Sequence, residues 1–282
     1  MKRLILFRHA HSLRQQLAEM GADAIHLGRT AAEIFAEYSE SDNPLTSLGL
    51  EQRTTLTEYV HQHLFPNLTV PQCWISSPYK RALDTGSQLG FGPPLKIAAY
   101  AERYQGNVED IHPDLRRSFC EAEFDAWQAD PYYRPIPGGE SLADLYRRVW
   151  ADFSRRISGE SETAIICHEQ IIWMIRQGME GLSVEEVLGG RAKRGEQQVI
   201  KNCCVIVYAD QVPEGEVLIP RPSGLSRGVV REIPPGVSSL HSGHKEYLPH
   251  PFRYVSIVNP AHIPRLQWKQ ARQWRDIRWR DS

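Results

Sequence analysis

The chain has 282 residues, 41% of them hydrophobic and 24% charged, with a formal net charge of −1 at pH 7. That balance suits a soluble globular protein with a sizeable core and argues against a dedicated nucleic-acid binder. No apolar run is long enough to span a membrane, and the four apolar residues after Lys2-Arg3 are too few for a signal-peptide core. Five cysteines, two of them adjacent at Cys203-Cys204, fit neither a disulfide framework nor a zinc motif, so we expect no metal and a reducing, cytoplasmic setting.

Arg3–Phe7 reads as a first buried strand. From Leu13 to Tyr38 the apolar spacing is helical, and Gly21 and Gly28 divide it into two short helices. Asp42-Asn43-Pro44 marks a turn, and Thr46 caps a helix running to Leu64. Cys73–Ser76 is a second strand, Lys80–Leu89 a helix and Leu95–Ala99 a third strand. Tyr100–Ser118 is polar and irregular, the texture of a functional loop. Glu121–Gln128 is helical, and the prolines and glycines of Pro131–Gly139 enforce a loop. Ser141 caps the next helix, with Asp144 completing an approximate capping box. Thr163–Cys167 is a fourth strand, Gln170–Gln177 a helix, Ser183–Leu188 a short helix and Val205–Tyr208 a fifth strand.

Strands alternating with helices predict an α/β fold, a three-layer α/β/α sandwich on a mainly parallel sheet. We place this domain at residues 1–210. Residues 211–282 form an extension rich in Pro, Gly, His and Arg, packed on the core or partly disordered, with an edge strand at Phe252–Val258 and a basic, Trp-bearing helix at Leu266–Trp279. The extension's histidines, His241, His244, His250 and His262, are scattered and do not suggest a metal site.

Ligands of open α/β sheets bind at the carboxyl ends of the strands. Two predicted strands end in histidines, His9 after Leu4–Phe7 and His168 after Ala164–Cys167. Arg8 adjoins the first, and the Cys73–Ser76 strand leads to Arg81 near a helix start. Two arginines and two histidines on one edge make an anion pocket with a nucleophile inside it.

The segment Leu4-Ile5-Leu6-Phe7-Arg8-His9-Ala10-His11-Ser12 resembles the opening motif of the histidine phosphatase superfamily, which includes phosphoglycerate mutases. Four further segments match in order: Leu45–Gln52, Ser76–Thr85, Pro137–Ser141 and Ala164–His168. The resemblance covers about residues 1–208. It implies that His9 is the nucleophile and forms a phosphohistidine, with Arg8, Arg81 and His168 holding the phosphoryl oxygens. It implies that Glu102, on the loop after the third strand, is the proton donor, for which its carboxyl must be protonated. Gln15 falls where an asparagine of the family contacts phosphate. Arg116 and Arg117 either bind a second anionic group on the substrate or belong to the surface. Tyr133 either lines the pocket mouth or packs.

The chain departs from the family pattern at Ala10 and Glu169, where glycines are usual, and at His11. A carboxylate at Glu169 opposes phosphate binding unless it points away. The expected activity is metal-independent hydrolysis of a small phosphorylated metabolite, with no cofactor and no nucleic-acid or membrane partner. Mutase-type phosphoryl transfer and non-catalytic binding of a phospho-ligand are the alternatives. A homo-oligomer is open.

Overall fold

The protein was analysed as a computed structural model. Described are residues 3–66, 69–156, 162–192, 200–210, 229–232 and 254–258, without side chains for 191–192 and the last two segments.

Strand β1 (Arg3–Arg8) lies inside a seven-stranded sheet, and its Leu4, Ile5, Leu6 and Phe7 are wholly buried. A continuous apolar run is what a strand covered on both faces requires. Next come α1 (Leu13–Met20), the hairpin β2 (Ile25–His26) and β3 (Arg29–Thr30), and α2 (Ala31–Glu37). Two short helices were expected here, and both are present. The hairpin between them was not foreseen, nor was the Thr30–Glu33 capping box that starts the second helix. Helix α3 (Ser47–Tyr59) is capped by Thr46, whose side chain accepts from Gly49 N–H at 3.1 Å, and runs on into a π-helical turn over Val60–Leu64.

Strand β4 (Cys73–Ser76) is followed by α4 (Lys80–Gly86) and β5 (Leu95–Lys96). The third strand is shorter than expected because Ala98–Tyr100 winds into a 3-10 turn. The irregular stretch after it holds two further 3-10 turns, Gly106–Val108 and Pro113–Leu115, and the single-turn helix α5 (Arg116–Phe119). Helices α6 (Glu121–Ala129) and α7 (Leu142–Arg156) precede β6 (Thr163–Cys167), and α8 (Glu169–Glu180), α9 (Val184–Ala192) and β7 (Val205–Ala209) follow it. At the head of α7, Asp144 N–H donates to Ser141 Oγ and Ser141 N–H to Asp144 Oδ2, the capping box read from sequence.

The sheet order is β5-β4-β6-β1-β7-β9-β8, with β8 at Val229–Glu232 and β9 at Tyr254–Val258. β5, β4, β6 and β1 are mutually parallel; β7 pairs antiparallel with β1, and β9 antiparallel with β7. The predicted edge strand is therefore present but one place in from the edge, which is taken by β8. The predicted helix over Leu266–Trp279 and the four extension histidines lie outside the described residues.

Strand residues alternate between two cores. Leu4, Leu6, Ile165, Cys167, Ile206 and Tyr208 face α7 and α8 with Leu145, Val149 and Ile172. Ile5, Phe7, Ala164, Ile166, Val205 and Val207 face α3 and α4 with Leu56, Tyr59 and Ala82. This is the three-layer α/β/α sandwich.

Candidate active site

Parallel pairing sets the site. Arg8 is opposite Cys167 and Ser76 opposite Ile166, so β1, β4 and β6 end at one edge in register. The backbone ladder runs one residue further, with His9 N–H donating to Cys167 O at 3.0 Å and Ser77 N–H to Ile166 O at 2.9 Å. His9, Ser77 and His168 therefore leave the sheet together, and the two imidazoles meet edge-on at 5.0 Å between centroids.

His9 Nδ1 lies 2.7 Å from Ala10 O. A carbonyl only accepts, so Nδ1 carries the proton and Nε2 keeps its lone pair. Arg81 Nε–H, which only donates, meets that lone pair at 3.2 Å. Burial, then the charges of Arg81 and Arg8, lowers the His9 pKa well below 6.5, which keeps the ring neutral and nucleophilic. His168 is lowered for the same reasons. Its Nε2 hydrogen-bonds Ser77 Oγ at 2.7 Å, and its buried Nδ1 has no partner.

Arg81 is buried at the start of α4, with its guanidinium 5.2 Å from the Tyr79 ring centre. Its Nη1 donates to Glu40 O and its Nη2 to Glu40 Oε1, both at 2.6 Å. Arg8 Nη1 pairs with Glu169 Oε2 at 3.1 Å and also donates to Ile200 O, while its buried Nε is unpartnered. Glu169 thus does not point away from the pocket: α8 begins at this residue, and its first turn faces Arg8.

Glu102 lies in the same field. Burial raises its carboxyl pKa above 4.5, against the opposing pull of the Arg103 N–H, which donates to it at 2.9 Å, and of the Arg81 charge. Its loop is stitched to the Pro137–Glu140 turn. Asn107 N–H donates to Pro137 O, Glu140 N–H to Tyr104 O, and Tyr104 N–H to Glu140 Oε2 at 3.1 Å. Gly106, at φ +60°, approaches that turn so closely that a Cβ would lie 2.3 Å from Pro137 O. Arg148 completes the brace, gripping both oxygens of Glu140 and the carbonyls of Ala99 and Ala101. The Pro137–Glu140 segment therefore braces the loop that carries Glu102.

Gln15 forms a reciprocal amide pair with Asn202 at 2.9 and 3.1 Å. Asn202 Nδ2 also donates to His9 O at 3.1 Å, so Gln15 is linked to the His9 backbone through Asn202. Arg116 is half-buried, donates to Ile111 O at 3.0 Å and stands within the electrostatic range of Arg14, Glu40 and Glu109. Arg117 is not brought in: it is exposed and pairs with Asp125 at 3.2 Å. Tyr133 is 56% exposed and meets the Tyr132 ring edge-on at 4.8 Å.

Sequence reasoning missed Glu40, Asn202, Ser77 and Thr85. Thr85 Oγ1 accepts from Ala10 N–H at 3.0 Å and donates to Arg81 O at 2.6 Å, joining β1 to α4. Its place in the Ser76–Thr85 segment was a usable signal; Glu40, in a polar stretch without a motif, gave none. Cys203, at φ +57°, turns the chain so that Asn202 reaches His9 O. Among the described residues no group of three or more His, Cys, Asp or Glu could hold a metal ion, and no helix is long and apolar enough to cross a membrane.

Comparison with known proteins agrees with this geometry. Residues 4–201 match the family model of the histidine phosphatase superfamily (branch 1). Among curated relatives, the 2,3-bisphosphoglycerate-dependent phosphoglycerate mutase of Chelativorans sp. (strain BNC1) is 27% identical over 159 residues, 52% of this chain and 74% of that protein. The same enzyme from Bartonella tribocorum is 28% identical over 106 residues, 36% of this chain; the chain thus spans only 51% of that relative's length. Among solved structures, the alpha-ribazole phosphatase of Shigella flexneri aligns with a TM-score of 0.55 at 20% identity, covering 73% of this chain and 89% of that one. A phosphoserine phosphatase mutant from Entamoeba histolytica aligns at 0.52 and 15% identity, covering 75% and 92%. At these identities the structures speak for the fold alone. With the family model spanning most of the chain over the same strand ends that carry His9, Arg81 and His168, the protein belongs to the histidine phosphatase superfamily.

Proposed function

We propose that the protein is a phosphomonoesterase that hydrolyses a small phosphorylated metabolite through phosphorylated His9, without a metal or cofactor. The observation that carries this reading is the His9 ring, neutral, with its Nε2 lone pair facing the Arg81 guanidinium. In the first step Nε2 attacks phosphorus and the phosphorus–ester oxygen bond breaks. Protonated Glu102 gives its proton to the departing alkoxide, which leaves as the alcohol. In the second step Glu102, now a carboxylate, takes a proton from water as its oxygen attacks phosphorus, and His9 and inorganic phosphate are released. Arg8, Arg81 and His168 meet the charge on the phosphoryl oxygens. Free thiols, Cys203 and Cys204 among them, support a reducing, cytoplasmic setting.

The curated relatives favour a second reading, transfer of a phosphoryl group between positions of a phosphoglycerate. We prefer hydrolysis because Arg117, a candidate for holding a second anionic group, is committed to Asp125 and Glu121. Glu40 and Glu169, seated on the two clamp arginines, are what a non-catalytic binder would show.

Alkaline-quench labelling with a phosphorylated substrate separates the three. Hydrolysis predicts a base-stable, acid-labile phosphoenzyme and released inorganic phosphate, both lost in His9→Ala. Exchange between phosphoglycerate isomers with little phosphate release would establish the mutase. No label and no turnover over a broad ester panel would sink catalysis.

A further inference from the structure

We propose that Glu40 is a specificity-determining residue of this pocket. In the free protein its carboxylate occupies the phosphate seat on Arg81; it yields that seat to a phosphoryl group and then disfavours esters that carry a second anionic group. The inference rests on the pocket binding phosphate esters, as the phosphatase reading requires.

Every nitrogen of Arg81 is engaged: Nε on His9 Nε2, Nη1 on Glu40 O and Nη2 on Glu40 Oε1. A phosphoryl group that docks on the Nη2 side of this guanidinium competes with the Glu40 carboxylate there, since both are oxygen anions. Glu40 has a second anchor when it leaves. Its Oε2 lies 3.4 Å from Nη1 of the buried Arg14, which is itself held by Tyr38 O at 3.0 Å, by Glu109 O and by the Phe35 ring at 4.0 Å. The displaced carboxylate therefore stays beside the pocket.

It joins further negative charge there. Asp110 is 3.5 Å from the same Arg14 nitrogen, and Glu109 stands close enough to Glu40 for the two to repel. A carboxylate on the alcohol side of a substrate enters this field, in which the cations Arg14 and Arg116 already stand among these acids. Arg116 is hydrogen-bonded to Ile111 O among the same acids, and Arg117 is paired at the surface. The fitting substrate is a phosphomonoester whose alcohol part is neutral or carries an ammonium group.

The test uses the full chain, wild type against Glu40→Gln. Inorganic phosphate binding is measured by calorimetry, and kcat/KM is measured for phosphoethanolamine and 3-phosphoglycerate. Removing one charged competitor on Arg81 should tighten phosphate binding about tenfold. The 3-phosphoglycerate to phosphoethanolamine ratio, low in the wild type, should rise by a similar factor. Glu40→Asp keeps the charge but falls short of Arg81, so it should tighten phosphate and leave the ratio low. Unchanged or weaker phosphate binding in Glu40→Gln would mean that Glu40 only orients Arg81, and an unchanged ratio would mean that it selects nothing; either overturns the proposal. If no ester, para-nitrophenyl phosphate included, is turned over, the phosphatase reading fails by itself. The ratio is then taken from the dissociation constants of the two esters, and the same outcomes decide.

Discussion

Arg81 Nε–H donates to His9 Nε2 across 3.2 Å, so the free protein caps its nucleophilic lone pair with the guanidinium expected to hold the phosphoryl group. Substrate binding must part the two, and the charge of Arg81 then meets the phosphoryl oxygens instead of the ring. Lysine offers a point charge without the fork. Arg81→Lys should lower kcat/KM about 10²–10³-fold while the fold persists. Steady-state kinetics with a circular dichroism control checks this, and a loss under about tenfold would contradict the clamp.

Two neutral, buried histidines make stability depend on pH. Unfolded, His9 and His168 take up a proton near pH 6.5; folded, burial and then the arginines hold their pKa values well below that. The unfolded state therefore gains protons first as pH falls, and stability drops below about pH 6.5 by roughly 1 kcal/mol per histidine per pH unit. Glu109, pushed up to about 7 by burial and by Glu40, acts in the opposite sense over the same window. The comparison of wild type with His168→Gln isolates one histidine. Denaturant unfolding at about pH 7.5 and pH 5.5 should show roughly 1 kcal/mol less pH-dependent loss in the variant. Equal slopes would refute a neutral folded His168.

The brace on the Glu102 loop gives a paired prediction. Glu102→Gln should lower kcat/KM about 10²–10⁴-fold for esters with poor leaving groups, and far less for para-nitrophenyl phosphate, because that leaving group needs no proton. Glu140→Ala should reproduce the pattern more weakly, about 10²-fold in kcat/KM, because it removes the acceptor of Tyr104 N–H and frees Arg148. Arg147→Ala, an exposed neighbour paired with Asp144, should not. The leaving-group dependence of kcat/KM distinguishes loss of the acid from general destabilisation.

Gly49 sits where a Cβ would fall 2.1 Å from His11 O, backbone against backbone. The same turn of α3 brings Gln52 Oε1 to His11 N–H at 2.9 Å, so the helix supports the residues after His9. Gly49→Ala should cost about 3 kcal/mol, the upper end for overpacking, because neither partner can rotate away. Chemical unfolding measures the cost, and a loss under about 1 kcal/mol would show the helix free to shift.

The residues determined the strands and where each one ends. Leu4–Phe7, Trp74–Ile75 and Ala164–Cys167 are continuous apolar runs because both faces are covered, and polar residues follow each where cover stops. That boundary is local, so Arg8, His9, Arg81 and His168 could be picked out from sequence, as could the caps Thr46 and Ser141. The reversal of β7 and the edge strand β8 were not legible, because strand direction and pairing are set between segments far apart in sequence. Partnership at the site was equally hidden. Tertiary structure alone seated Glu40 on Arg81 across 41 residues and Asn202 on His9 across 193, turned Glu169 toward Arg8 and sent Arg117 outward. A charged side chain takes the nearest opposite charge the fold brings to it, and that distance belongs to the folded chain rather than to its order of residues.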